Sequence, residues 1–308
     1  MMHGVFVLNK PLGMTSQQAV TRVKRMLQAR KAGHTGTLDP NVAGVLPVLL
    51  GSATRLSDYV MESEKAYLAT AWLGSSTDTQ DHTGRVLAVS DATHLGDHEI
   101  RDALSTFLGV TMQIPPIYSA IHVAGRRAHE LARAGQSVVL EAREMVVHEI
   151  TLQQITRRAD SLLVNFSVRC GKGTYVRTLC HDLGVKLGVP AHMFELTRTK
   201  SGPFSLADAH SFDELERGLA SLVRKTEDAV PALPKLTVAK DALHMIFHGA
   251  PLFLTDAFAA GQGVAFHVDR IIGIRVCDEL VALYRVRENE GDMWRLTAHK
   301  VLVQQGVE

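Results

Sequence analysis

Between residues 162 and 188 the periodicity changes once, and that change limits what the chain can fold into. Leu162, Val164, Phe166, Val168 and Cys170 alternate with Leu163, Asn165, Ser167 and Arg169, a period of two that describes a strand in a sheet with distinct faces. Gly171-Lys172-Gly173 turns the chain. Val176, Leu179, Cys180, Leu183 and Leu187 then recur at helical spacing up to Gly188, a residue suited to the left-handed end of a helix. A strand with a buried face, followed by a helix with an apolar stripe, requires a sheet with helices laid on it.

Other segments repeat these themes. Val5 to Leu8 and Lys65 to Leu73 have strand character, with further strands around Ser119 to Val123, Val146 to Ile155 and Met193 to Thr197. Thr15-Ser16-Gln17-Gln18 is a capping-box pattern and opens a helix running to about Ala29, whose apolar side is Ala19, Val20, Val23, Met26 and Leu27. Asp97 to Leu108 and Arg127 to Ala134 are further amphipathic helices. Strands outnumber helices and their order is irregular, which predicts an α+β fold with a mixed, mainly antiparallel sheet flanked by helices. Thr226 to Leu236 (TEDAVPALPKL) is charged, then punctuated by proline, and is read as a linker. Beyond it lie a short helix, Ala239 to His248, and strand-like runs at Gly263 to His267, Arg270 to Val276, Leu280 to Val286 and Trp294 to Val303. The expected division is therefore residues 1–232 and a small β-rich module, residues 233–308, remote from the first and able to add only binding energy.

At 308 residues, with 46% hydrophobic and 21% charged residues, the composition is that of a globular chain and excludes a disordered or repetitive polymer. The longest apolar stretch, Val42 to Leu50, is interrupted by Gly44 and Pro47, so no membrane span is expected. Three cysteines, none in a C-x-x-C pair, make a disulfide framework and the common zinc spacings unsupported, and a reducing cytoplasm fits best. Phosphate-binding loops, dinucleotide fingerprints, serine elbows and H-E-x-x-H are missing, which counts against NTP hydrolysis, nicotinamide chemistry, serine hydrolysis and zinc proteolysis. No metal and no cofactor are expected. Asp78 and Asp81, in STDTQDHTG, are read as acids of a solvated turn that could meet a cation.

The net charge is +1, yet its distribution is uneven. Lys10, Arg22, Lys24, Arg25, Arg30 and Lys31 precede the first acid of the chain, Asp39. That acid lies in Gly33 to Gly44 (GHTGTLDPNVAG), a stretch too rich in glycine for regular structure, with Pro40 fixing the residue after it. Asp39 could simply initiate an Asp-Pro turn. Among so many cations its charged form would be favoured, and a carboxylate can act as a nucleophile.

Asn9-Lys10-Pro11-Leu12-Gly13-Met14-Thr15-Ser16, Lys31 to Pro40 and Gly44 to Val48 resemble, in order and spacing, the first motifs of the TruB family of tRNA pseudouridine synthases. The similarity continues at Lys65-Ala66-Tyr67, Gly74 to Asp78, Pro115 to Ala120 and Lys172 to Leu179, and covers about residues 3 to 230. The resemblance implies the pseudouridine synthase fold, a C-terminal PUA-like RNA-binding domain and isomerisation of uridine to pseudouridine at position 55 in the T loop of tRNA. It implies Asp39 as the catalytic aspartate, Tyr67 against the target uracil as a candidate for C5 proton transfer, and Arg177 as the partner of the carboxylate. Tyr175 and Leu196 would line the substrate pocket and His34 would hold the RNA loop once the base has left the stack. Lys10, with Pro11, would brace the catalytic loop at the substrate site. The implied partner is the T-arm stem-loop of tRNA, bound by a monomer. His122 and His129 stand where the family usually has lysine and an aromatic, which puts local RNA contacts in doubt.

Two other readings compete. A non-catalytic RNA-binding protein would need the basic surface but not Asp39. A nucleoside or glycoside hydrolase would use Asp39, although glycosidases usually employ two facing carboxylates and this loop supplies one.

Overall fold

Strands β1 (Gly4–Lys10), β2 (Ala32–His34), β3 (Ala43–Leu50), β4 (Lys65–Leu73), β5 (Gly109–Gln113), β6 (Arg143–Arg157), β7 (Leu162–Cys170) and β8 (Ala191–Ser201) belong to one sheet. Their order is β1-β3-β8-β4-β7-β6-β5, with β2 on β3 and Phe204–Ser205 on β8. β3 and β8 run parallel and the other pairs antiparallel, so the sheet is mixed and mainly antiparallel. The computed structural model describes residues 2–119, 121–123, 125–134, 136, 138–158 and 161–302; Ala120, the side chains of His122 and His129, and residues 303–308 lie outside the described residues. Among the described residues no helix is long and apolar enough to cross a membrane.

Helices α1 (Ser16–Met26), α2 (Asp97–Ser105) and α3 (Val176–Leu187) lay their apolar stripes on this sheet. Ala19, Val20 and Val23 of α1, Ile100 and Leu104 of α2, and Leu179, Cys180 and Leu183 of α3 share one core with Phe6, Leu8, Leu46, Val48, Val164 and Phe166. The capping box of α1 forms: the Gln18 N–H donates to the Thr15 hydroxyl at 3.1 Å, and the Thr15 N–H donates to Gln18 Oε1 at 2.8 Å. Helix α1 ends three residues earlier than its periodicity suggests, and Gln28 takes a φ of 49°. Gly188 caps α3 with φ 70° and ψ 21°, the conformation expected of it.

A second sheet contains β9 (Lys235–Thr237), β10 (Leu252–Thr255), β11 (Ile271–Val276), β12 (Glu279–Glu290) and β13 (Met293–Val301), in the order β9-β11-β12-β13-β10. Leu236, Ile246, Ile272, Ile274, Tyr284, Val286 and Leu296 form its own core. The two sheets also share a third core. β1 and β3 are apolar on both faces: Val5, Val7, Val45 and Leu49 turn away from the helices and meet Leu280, Leu283 and Leu302, together with Leu56, Val60, Ala229 and Val230. This explains the long apolar run at Val42 to Leu50, because a strand covered on both faces has no polar side to display.

Four expectations need correction. Thr226 to Leu236 is no exposed linker. Thr226–Ala229 is a single 3₁₀ turn, Ala229 and Val230 are buried, and Glu227 pairs with Arg275 at 2.6 Å. Gly263 to His267 is not a strand, because Val264 and Phe266 enter the core of the second sheet from irregular backbone. The irregular part of Gly33 to Gly44 is only Thr35 to Val42, since Ala32–His34 and Ala43–Leu50 pair with each other. The strand around Ser119 to Val123 shrinks to His122–Val123, paired with Arg126–Arg127. Among the elements not foreseen are β5, β10 and the short helix Asp256–Ala260 capped by the Thr255 hydroxyl.

Candidate active site

Asp39 lies in a loop whose backbone is anchored on both sides of it. The Leu38 N–H donates to Ser16 Oγ at 2.8 Å, and the Ser16 hydroxyl donates back to the Leu38 carbonyl at 2.9 Å. The Pro40 carbonyl accepts from the Gly13 N–H at 2.8 Å. Farther out, Arg198 donates from Nη2 to the Gly36 carbonyl at 3.1 Å and from Nε to the Val45 carbonyl at 2.8 Å. The peptide groups are fixed while the Asp39 side chain stays 42% exposed, which leaves the carboxylate open to a ligand. Gly44, at φ 107°, lets β8 pass close, for a Cβ there would lie 2.2 Å from the Arg198 carbonyl oxygen.

Lys10 is fully buried beneath this loop and donates to the carbonyls of Pro11 at 2.9 Å and Met14 at 2.8 Å. Burial pulls its ammonium down to about 8, with Arg198 acting in the same direction and Asp39 opposing. Its place is that of a brace, and it is no part of the exposed basic surface.

Arg177, in the first turn of α3, reaches Asp39 Oδ2 through Nη2 at 3.2 Å. The same Nη2 donates to the Tyr118 carbonyl at 3.0 Å, and Nη1 lies 3.4 Å from Asp81 Oδ2. The guanidinium is almost enclosed, with 9% of its side-chain area exposed, and so is Asp81 at 5%. Asp81 is therefore no solvated turn residue. Burial works to raise its carboxyl, but hydrogen bonds from the Thr83 and Thr79 hydroxyls and the Thr83 N–H, with the Arg177 charge, hold it below the ordinary range. Sequence reasoning did not connect Asp81 with Arg177. The available signal was the alternation of Thr79, Asp81 and Thr83, three residues able to satisfy one another in a turn. Among the described residues no three His, Cys, Asp or Glu side chains are grouped to hold a metal ion.

Tyr67 and Leu196 come from neighbouring strands. In the β8–β4 register Leu196 opposes Ala69 and Arg198 opposes Tyr67, so Tyr67, Leu196 and Arg198 share one face of the sheet. Tyr67 is half-buried, and burial raises its hydroxyl while the charge of Arg198 opposes. Tyr175 precedes α3, and Gln113 of β5 clamps its backbone by accepting from its N–H at 2.9 Å and donating to its carbonyl at 3.1 Å. Burial raises the Tyr175 hydroxyl, while Ser119 and Arg177 oppose. His34, at the end of β2, is half-buried; burial first and the Arg198 charge second hold its imidazole below the usual value. Its Nδ1, the Thr35 hydroxyl and the Asn41 side-chain nitrogen are enclosed without a hydrogen-bond partner among the described residues. The loop thus holds polar groups that no described residue satisfies.

Next to the loop, Gly13, Thr15, Gln18, Thr21, Arg22 and Arg25 line an open hollow of about 650 Å³ at the start of α1. Lys24, Arg25, Arg30 and Lys31 are exposed. Arg22 is more engaged than its sequence position suggested, with its guanidinium 4.1 Å from the Phe212 ring centroid and 3.6 Å from Glu216.

Residues 24–176 match the family described as TruB family pseudouridylate synthase (N terminal domain), and residues 177–236 match the tRNA pseudouridylate synthase B C-terminal domain. The chain is 48% identical over 246 residues to tRNA pseudouridine synthase B of Symbiobacterium thermophilum, covering 80% of this chain and 82% of that protein. It is 38% identical over 312 residues to tRNA pseudouridine synthase B of Bacillus velezensis, covering 99% of each. Among solved structures, a chain from an H/ACA RNP bound to a substrate RNA containing 2'-deoxyuridine is similar, with a TM-score of 0.71 and 28% identity. That match covers 99% of this chain and 86% of the other.

Proposed function

The chain belongs to the TruB family of tRNA pseudouridine synthases, isomerases acting on tRNA, and from that premise we propose that it converts uridine 55 in the T loop to pseudouridine with Asp39 as the catalytic carboxylate. The observation that carries this reading is the pairing of a partly exposed Asp39 with an enclosed Arg177 at 3.2 Å, in a loop anchored on both sides. The arginine donates to the carboxylate and aims it while one face of it stays open.

The reaction breaks the bond from C1′ to N1, turns the uracil and joins C1′ to C5, and no outside group enters. Asp39 serves either by attacking C1′ or by removing a sugar proton to give a glycal. The uridine is stacked in folded RNA, so it must be flipped out at a cost of a few kcal/mol. Tyr67 offers a face for the flipped base, Tyr175 and Leu196 line the pocket, and His34 holds the RNA loop from which the base has gone. Lys10 braces the Asp39 loop from below. Exposed Lys24, Arg25, Arg30 and Lys31 make phosphate contacts that position the T-arm without reading its sequence. In this reading residues 1–232 carry the chemistry and residues 233–308 form a PUA-like RNA-binding domain, in a monomer that works in the cytoplasm.

A hydrolase would need a second carboxylate facing the first across the substrate. Asp81 is the neighbouring acid, but its oxygens are taken by Thr79, Thr83 and Arg177, which favours the isomerase. The test is incubation of the purified protein with a T-arm stem-loop and with whole tRNA, followed by mapping of pseudouridine and assay of free uracil. Pseudouridine at the T-loop position without free uracil is the expected result, and free uracil without pseudouridine overturns the reading.

A further inference from the structure

Arg198 is the largest fully buried side chain of the described residues, at 1% exposure, and no carboxylate among them forms an ion pair with it. A buried charge without a counter-charge is costly, and the cost persists only where the charge is held by other means and has a use. Two carbonyl oxygens hold it, those of Gly36 and Val45, and Tyr67 stands opposite it on the neighbouring strand. Both carbonyls flank Asp39 in the chain.

We propose that Arg198 is a positioning residue that ties Tyr67 to both ends of the Asp39 loop and supplies the buried positive charge that allows the Tyr67 oxygen to become negative when it serves as the base for C5. The proposal rests on the function read above. In that chemistry the new C1′ to C5 bond leaves a proton on C5. The Tyr67 phenolate, formed by loss of its proton to water, takes the C5 proton; the C–H electron pair restores the ring double bond, and N1 gains a proton from water.

The surroundings of Tyr67 leave Arg198 as the group that favours this state. Burial raises the hydroxyl most, Cys170 on β7 and Asp39 in the loop raise it further, and the charge of Arg198 acts in the opposite direction. The geometry adds a second constraint. Arg198 opposes Tyr67 on β4 and Gly44 on β3, so the residue that holds the Gly36 and Val45 carbonyls also stands beside Tyr67.

Ultraviolet difference titration of the phenol tests this without RNA, with wild type minus Tyr67→Phe isolating Tyr67. In an Arg198→Met background, the same difference should show ionisation at clearly higher pH, while Arg198→Lys should stay near wild type. Single-turnover pseudouridine formation on the T-arm should fall at least tenfold in Arg198→Met with KM little changed, and its rise with pH should move to higher pH by the same amount. Arg198→Gln, which keeps a donor for the Val45 carbonyl, replaces Arg198→Met if the latter does not fold. An unshifted Tyr67 titration in a folded neutral variant, or an equal shift in Arg198→Lys, overturns the proposal. Absence of pseudouridine formation by wild type would instead overturn the function and leave the Arg198–Tyr67 coupling to be judged by the titration.

Discussion

Arg177 Nη1 lies 3.4 Å from Asp81 Oδ2 while Nη2 of the same guanidinium lies 3.2 Å from Asp39 Oδ2. The two carboxylates differ in what they can do. Asp81 is enclosed and held by threonines, whereas Asp39 is partly open, so Asp81 fixes the arginine and the arginine fixes Asp39.

Replacing Asp81 should therefore damage turnover from behind the site. Asp81→Ala leaves an enclosed guanidinium short of a counter-charge, and breaking such a pair costs about 3 kcal/mol. Asp81→Asn keeps the turn and removes the charge. Both should lower kcat by about tenfold or more with a smaller change in KM, about 1.4 kcal/mol per factor of ten. Single-turnover assays with urea melts of both variants check this, and an unaltered kcat in Asp81→Asn would remove Asp81 from the account.

The Ser16 hydroxyl is a second support. It both donates to and accepts from the Leu38 backbone, so Ser16→Ala strands a buried N–H and a buried C=O at about 1 to 3 kcal/mol. The expected result is a modest loss of stability and a fall in kcat, because the residue before Asp39 is no longer held. Hydrogen exchange at the Leu38 amide should accelerate in the same variant, and unchanged exchange would show that other contacts hold the loop.

The shared core changes what the second sheet is expected to do. A remote module would affect only affinity, but Leu283 packs against the face of β1 and β3 turned away from the helices. Leu283→Ala should cost about 2 to 5 kcal/mol and speed hydrogen exchange in β1 and β3 as well as in β12. Deleting residues 233–308 would bare Val5, Val7, Val45 and Leu49, so the truncated chain should lose kcat even on a T-arm fragment. Retained kcat on the fragment would restore the picture of an independent module.

Local signals were legible and long-range partnerships were not. The strands Lys65–Leu73 and Leu162–Cys170 and the left-handed cap at Gly188 follow from period and turn chemistry, which act over a few residues. Asp39 stood out because it is the first acid after six cations. Arg198 did not, since an arginine in a half-buried strand reads as a surface cation until the sheet order places it between Tyr67 and Gly44. Lys10 counts among the six cations before Asp39, and its enclosure beneath the loop follows only from the fold. Asp81 lies far from Arg177 in sequence and meets it only once α3 has packed on the sheet.

Lys10 also makes a pH signature. Its folded-state value of about 8 lies below the ordinary 10.5, so above pH 8 the folded protein has shed a proton that the unfolded chain keeps. The unfolded state then binds more protons and stability should rise with pH in that range. Lys65, also near 8 through burial, adds to the effect, while the buried Cys170 thiol, pushed up to about 11, works against it. The difference between wild type and Lys10→Met isolates one lysine. Urea midpoints at pH 7.5, 8.5 and 9.5 should rise more steeply in wild type, and parallel curves would show that Lys10 does not titrate in this way.

Asp39→Asn tests the central claim most directly, because the amide keeps the shape of the side chain and loses the charge that Arg177 holds. With T-arm RNA in single-turnover assays, the folded variant should bind the RNA with affinity close to wild type and form no pseudouridine above background. Pseudouridine formation at more than a small residual fraction of the wild-type rate would contradict the assignment of Asp39 as the catalytic carboxylate.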